Sequence, residues 1–440
     1  MSAPVAIRAR RRVRLTDRRL LAGALALAVG WTAVGLLVER SGRVLGTATP
    51  PFVMGWLPRI DVWAVVAVAA LGGIVAGGPA LLRLPGKAYV LAVTSAALAT
   101  ALAVNAARTG AHGWDAIFDT GPRGSFEAKN EYLPGLPALS YGSRFFLDRF
   151  AELVPALPVN VAGHPPGLLL FAHLTTLTTP ARFAALCIGA AAACAPLTYA
   201  LGRGLGQDER TAKTAGLLAA AAPGLLLFGT TSADAVYAAL GVAAAALLVR
   251  PSWGARGGGA AVLALAGFCS WALLAAGAFA VLVVWQRDGW RSAARLAVVC
   301  AIPFLVLNAW LAAAYGYDPI GTLRATEAVY RRSLAEVRPY WFWVLGSPIA
   351  WMVCAGLPLS GGWLVAARRR DPSAVALAAV VIVASVLAFT KAETERIWLP
   401  FVPLACAAAA TVIPPRRLRA VLLLLTAQTL LTQLLFETVW

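Results

Sequence analysis

Apolar residues in this chain come in long unbroken runs rather than in alternating or helical-stripe patterns, and the runs recur from one end to the other. A stretch of about 20 apolar residues is what a helix needs to cross the hydrocarbon of a bilayer with its own backbone satisfied. Runs of that kind predict helices over 20–38, 61–80, 87–107, 181–202, 213–228, 233–249, 293–313, 341–366, 373–390, 397–412 and 419–436. The run 258–285 is long for one crossing and short for two, and is read here as two tightly linked crossings. The segment 165–178 is read as an interfacial or re-entrant helix. The chain is thus expected to be an all-α polytopic membrane protein with about 11–13 transmembrane helices.

The polar intervals are unequal. Most are short, but 108–164 is a long segment in which FEAKNEYLPGLPAL and GSRFFLDRFAELV predict short amphipathic helices at the interface. This pattern divides the chain into four parts: a basic segment 1–19, transmembrane helices over 20–107, the long segment 108–164, and a bundle over 165–440 interrupted by loops 314–340 and 391–396.

Composition agrees with a membrane protein. The 440 residues are 60% hydrophobic and 13% charged, with a mean hydropathy of +0.74. A soluble fold could not cover so much apolar side chain with so few charges. The net charge of +18 raises nucleic acid as a partner, but its placement argues otherwise. Arg8, Arg10, Arg11, Arg12, Arg14, Arg18 and Arg19 precede the first run, and Arg203, Arg210, Arg250, Arg256, Arg287, Arg291, Arg368, Arg369, Arg370, Arg416, Arg417 and Arg419 fall in short loops. That is the positive-inside distribution, with anionic lipid rather than nucleic acid as the natural partner. It places the N-terminus in the cytoplasm and 108–164, 314–340 and 391–396 on the outer face of the plasma membrane. The six cysteines lie inside apolar runs without metal-ligand spacing.

The candidate chemistry is concentrated in those outer segments. Asp119, Glu127 and Glu131 are carboxylates near a membrane boundary, where such a group either solubilises a loop or serves as a general base. In GHPPG, Pro165 and Pro166 fix a turn that leaves His164 either packed at a helix start or presented to a ligand. Asp234 is expected to be the N-cap of the following helix, the alternative being a group that points into the outer site. In KAETERIW, Lys391, Glu393, Glu395 and Arg396 lie between two apolar runs, either paired among themselves or available to an anion. Arg324 and Arg331 run against the positive-inside bias, which points to an anionic ligand. No cofactor is called for with certainty. A divalent cation would suit the chemistry, but no clear metal-ligand motif is present.

An acidic outer segment, FDT at 118–120, and GHPPG at 163–167 closing it, followed by many spans, together resemble the GT-C superfamily of membrane glycosyltransferases, and in it the protein O-mannosyltransferases and the lipid A aminoarabinose transferase. The resemblance implies a polyprenyl-phosphate-linked sugar donor and an envelope glycan, lipid or protein as acceptor. It implies inverting single displacement, with an acidic residue of the first outer loop as base and cations of later loops on the lipid phosphate. On FDT the base would be Asp119, although Thr120 stands where the family motif has its second acidic residue, and Glu131 in NEYLP is the rival. A multi-pass transporter or flippase of a lipid-linked or sugar-like solute is the competing reading.

Overall fold

The computed structural model describes residues 18–438 apart from Arg123 and Phe389; most of the basic segment 1–19 therefore lies outside the described residues. The chain is an all-α, multi-spanning membrane helix bundle. Among the described residues, seven helices are long and apolar enough to cross a bilayer: Ala22–Arg40, Val62–Leu81, Gly86–Thr109, Pro180–Gly204, Trp271–Asp288, Trp290–Tyr315 and Pro415–Leu435. Three shorter apolar helices, Asp234–Leu248, Pro372–Leu387 and Leu399–Ala410, lie among them. Among the described residues the helices of crossing length thus number seven, or eight with the bent pair Tyr340–Ala355 and Leu357–Arg368 counted as one, and not the expected 11–13.

Two of the expected elements differ in shape from the runs that predict them. The run 341–366 is two helices, Tyr340–Ala355 and Leu357–Arg368, bent by 113°. The break falls at Gly356, whose φ of +126° is open to glycine and strained for any residue with a Cβ. The run 213–228 is likewise divided into Glu209–Ala220 and Pro223–Leu227, because Pro223 cannot donate the hydrogen bond that would continue the first helix. The run 258–285 forms two helices, Trp253–Cys269 and Leu274–Asp288, separated by a single 3-10 turn. The segment 165–178, read as interfacial or re-entrant, contains the eight-residue helix Gly167–Leu174, about 12 Å long and too short to cross.

How deeply each helix is packed tells bilayer from interior. Only 11% of the Trp290–Tyr315 span is buried in the protein, whereas half of Pro180–Gly204 is; the first is peripheral and the second central. Central packing relies on small residues. A Cβ on Gly204 would lie 2.7 Å from the carbonyl oxygen of Ala246, and one on Gly259 would lie 2.9 Å from Cβ of Leu247. Close backbone approach of this kind is how helices associate where lipid removes most of the hydrophobic driving force.

The segment 108–164 is folded onto the bundle. Its first half forms 3-10 turns at Ala116–Phe118, Phe126–Asn130 and Leu133–Leu139, and in the last of these Pro134 and Pro137 deny a regular helix. Its second half forms Ser143–Asp148, Phe150–Leu153 and Val159–Ala162. The amphipathic pattern is realised: Phe146, Leu147, Phe150 and Val154 are buried while Tyr141 and Phe145 are exposed. The buried set joins Phe118, Tyr132, Phe183 and Tyr237 in one apolar cluster, so the segment is anchored to helices Pro180–Gly204 and Asp234–Leu248.

Candidate functional site

Where that segment meets the bundle, six polar side chains from distant parts of the sequence converge. Glu131 ends the Phe126–Asn130 turn and is fully buried. Its Oε1 accepts a hydrogen bond at 2.8 Å from Nδ2 of Asn160, while its Oε2 has no hydrogen-bond partner among the described residues. Asn160 offers its side-chain oxygen to Arg396 at 3.4 Å and its backbone oxygen to Nδ1 of His164 at 2.7 Å. Arg396 donates to Asp234 at 2.8 Å and to Glu393 at 3.2 Å. Glu131, Asn160, Asp234 and Arg396 are all buried, with His164 and Glu393 half-buried at the edge of the assembly, so the inner charges act at short range in a poorly screened setting.

Local sequence explains how each group arrives. Asp234 is the first residue of its helix, with Ala233 as N-cap and no side-chain cap bond. The expected capping role of Asp234 is therefore corrected: its carboxylate pairs with Arg396. In the turn before Arg396, Ala392 and Glu393 both take left-handed φ, +70° and +59°, an arrangement costly for residues with side chains. That kink divides KAETERIW. Glu393 and Arg396 enter the cluster, whereas Glu395 turns away and accepts from the backbone N–H of Val53 at 2.9 Å. The Lys391 ammonium donates to the carbonyls of Ala335 and Arg338 at 2.9 and 3.1 Å, so the helical Lys391–Glu395 pair that the spacing allows is not formed.

Electrostatics separates the carboxylates. Burial pushes Glu131 up to about 8, with Asp234 adding to the rise and Arg396 and the Asn160 bond opposing it. Burial likewise takes Glu395 to about 7. Half-buried His164 is held below its ordinary value, again chiefly by desolvation. A carboxyl group with a free oxygen and a proton affinity near neutrality is suited to exchange a proton with a bound hydroxyl.

The remaining expected residues lie outside the cluster. Asp119 is part-exposed and accepts from the N–H of Gly121 at 2.8 Å; no hydrogen bond or ion pair joins it to the cluster among the described residues. Glu127 accepts from Nδ2 of Asn130 at 2.8 Å. Arg324 is exposed, and the exposed Arg331 pairs with Glu327 at 2.5 Å, both on helix Pro319–Arg332.

Three residues of the site are not singled out by sequence alone: Asn160, Tyr132 and Tyr237. Tyr132 and Tyr237 share a short hydroxyl–hydroxyl hydrogen bond, and the His164 ring lies 5.0 Å from that of Tyr237. Tyr237 had a signal, since it stands one helical turn after Asp234 on the same face. Asn160 had a weaker one, as the polar residue within PVNVAG. Arg338, one of several cations in the loop 314–340, is a buried support: it donates to the carbonyls of Leu45, Gly46 and Lys391 at 3.2, 3.1 and 2.7 Å and lies 3.6 Å from Glu393.

Among the described residues, no group of three or more His, Cys, Asp and Glu side chains is placed to hold a metal ion. Comparison of the chain with protein families, curated proteins and solved structures finds no match.

Proposed function

We propose that this protein is a membrane glycosyltransferase of the GT-C type, moving a sugar from a polyprenyl-phosphate donor to an envelope glycan, lipid or protein acceptor. One observation carries the reading: a buried carboxyl with an oxygen unpartnered among the described residues, Glu131, shares Asn160 with a paired guanidinium, Arg396, where a folded loop meets a membrane bundle. In this reading Glu131 is the base and Asp119 is not. An acceptor hydroxyl attacks the anomeric carbon, its proton passes to Oε2 of Glu131, and the bond from that carbon to the phosphate oxygen breaks with its electron pair retained on the phosphate. Because phosphate is already a fair leaving group when cations hold its charge, the chain needs no nucleotide-binding domain. Arg396 supplies such a cation by exchanging Asp234 or Glu393 for phosphate, and Arg324, exposed on helix Pro319–Arg332 beside the Glu327-paired Arg331, guides an anionic headgroup. His164, whose burial disfavours the charged form, orients the acceptor or donor hydroxyls. The orientation follows the arginine distribution, with the site on the outer face of the plasma membrane.

The bend of 113° between Tyr340–Ala355 and Leu357–Arg368 supports a second reading, since broken helices are a feature of transporters. One experiment separates the two. Protein in nanodiscs is given polyprenyl-phosphate-linked sugars and candidate acceptors, and transfer is followed by product mass. Glu131→Gln is expected to slow transfer by about 10² to 10⁴ while donor binding persists, and Asp119→Asn to leave it within a few-fold. Protein that moves labelled lipid-linked sugar across vesicles without transferring it, equally well with Gln at 131, is a transporter or flippase instead.

A further inference from the structure

Helices Val62–Leu81 and Leu418–Leu435 pack against each other in opposite directions. Gly78 near the end of the first meets Leu422 near the start of the second, a Cβ there lying 3.2 Å from the leucine methyl, while Leu71 and Leu430 share one apolar cluster. Between them runs an open groove of about 480 Å³ lined by Val68, Leu71, Gly72, Val75, Leu423 and Leu430, with Arg419 at one end. From Arg419 to Leu430 the groove follows 11 residues of helix, about 16 Å. Its floor is bare because, among the described residues, Gly72 has nothing within 4 Å of where a Cβ would stand. Both walls belong to helices of the spanning class, so the groove opens to the bilayer.

The charge lies at one end only. Arg419 is exposed and has no hydrogen bond or ion pair among the described residues, and exposed Arg83, Lys87 and Arg416 stand at the same end of the helix pair. No Asp or Glu among the described residues lines the groove. An apolar channel of acyl-chain length that finishes in unneutralised guanidinium matches one kind of occupant: a chain with an anion at its head. We infer that the α-helical groove between Val62–Leu81 and Leu418–Leu435 is a binding site for an anionic phospholipid, its acyl chain along Gly72 and its phosphate on Arg419. The inference does not depend on the transferase reading, and none of these residues belongs to the cluster around Glu131.

The test uses native mass spectrometry of the whole protein released from micelles doped with phosphatidylglycerol or phosphatidylcholine. The unaltered protein is expected to retain phosphatidylglycerol in preference. Arg419→Gln should lower that retention about fivefold, the effect of one basic group at a membrane surface, and Arg419→Lys should largely restore it. Gly72→Leu, which fills the groove, should remove retention of both lipids. Equal retention of the two lipids by the unaltered protein, or phosphatidylglycerol retained undiminished in Arg419→Gln, overturns the proposal. So does a protein dimer that Gly72→Leu dissociates, since the groove would then seat a helix of a second copy. If Gly72→Leu fails to fold, the exposed Arg419 pair of variants decides alone.

Discussion

Asn160 donates its side-chain N–H to Oε1 of Glu131 at 2.8 Å, tying two halves of the outer segment together 29 residues apart. The same amide offers its oxygen to Arg396, so a single neutral side chain keeps a buried carboxyl and a buried guanidinium in fixed register. Asn160→Leu removes both contacts; Arg396 keeps Asp234 and Glu393, but Oε1 of Glu131 loses the hydrogen bond that Asn160 gives it. The expected loss is about 1 to 3 kcal/mol, from a buried carboxyl deprived of its partner. Denaturant unfolding in mixed micelles measures it, and a loss under about 0.5 kcal/mol would mean that water serves the carboxyl equally well.

Arg396 presents separate nitrogens to Asp234 and Glu393. A lysine has one nitrogen and cannot span both partners with the same planar fork. Arg396→Lys should therefore cost stability, and Arg396→Glu should cost more, because it buries a further negative charge beside Asp234. Breaking such a buried pair costs about 3 to 5 kcal/mol. Comparable melting temperatures for the lysine and glutamate variants would contradict this order.

The raised affinity of Glu131 for its proton, which takes it to about 8 from an ordinary 4.5, makes stability depend on pH. Folded protein binds that proton more tightly than unfolded chain, so the contribution is complete below about 4.5 and declines as pH rises through about 8. Glu395 adds a similar decline that ends near 7. The fall between pH 7 and 8 thus belongs mainly to Glu131, and Glu131→Gln should flatten it in melting curves taken across that interval. An unchanged slope in the variant would place the titrating group elsewhere.

Gly167 closes the GHPPG turn against helix Trp253–Cys269. A Cβ there would lie 2.5 Å from the carbonyl oxygen of Phe268, and backbone on that side cannot swing away as a side chain could. Gly167→Ala is expected to destabilise by about 1 to 3 kcal/mol through overpacking and to shift the histidine that precedes the two prolines. A thermal scan with near-ultraviolet circular dichroism reads both effects, and a native-like melt would show that the contact relaxes freely.

Orientation is tested separately. Ser125→Cys in an otherwise cysteine-free protein should react with an impermeant thiol reagent from the face opposite to the N-terminus, as the arginine distribution requires. Reaction only from the N-terminal side would reverse the topology and remove the outer-face site.

The long apolar runs and the folded character of 108–164 were legible in the sequence because bilayer length and amphipathic spacing act locally. Breaks at Gly356 and Pro223 were marked by residues that disfavour helix, yet the average hydropathy of the runs hid them. The cluster was legible residue by residue: Glu131, His164, Asp234, Glu393 and Arg396 all stand out as polar groups at the borders of apolar stretches. Their grouping was not, for it depends on a left-handed kink at Ala392 and Glu393 that neither residue type advertises. The same kink sends Glu395 toward Val53, although spacing alone makes Glu395 as eligible as Glu393.

The two-residue strand Phe436–Glu437 pairs antiparallel with Gly55–Trp56, Arg59 meets Glu437 across 378 residues, and Arg108 holds Thr438. These contacts give the molecule an order of assembly. Helices emerging first from the ribosome must stay in the membrane with that seam unmade until residue 438 has been synthesised, so the seam forms as a closing event and cannot template the helices between its two edges.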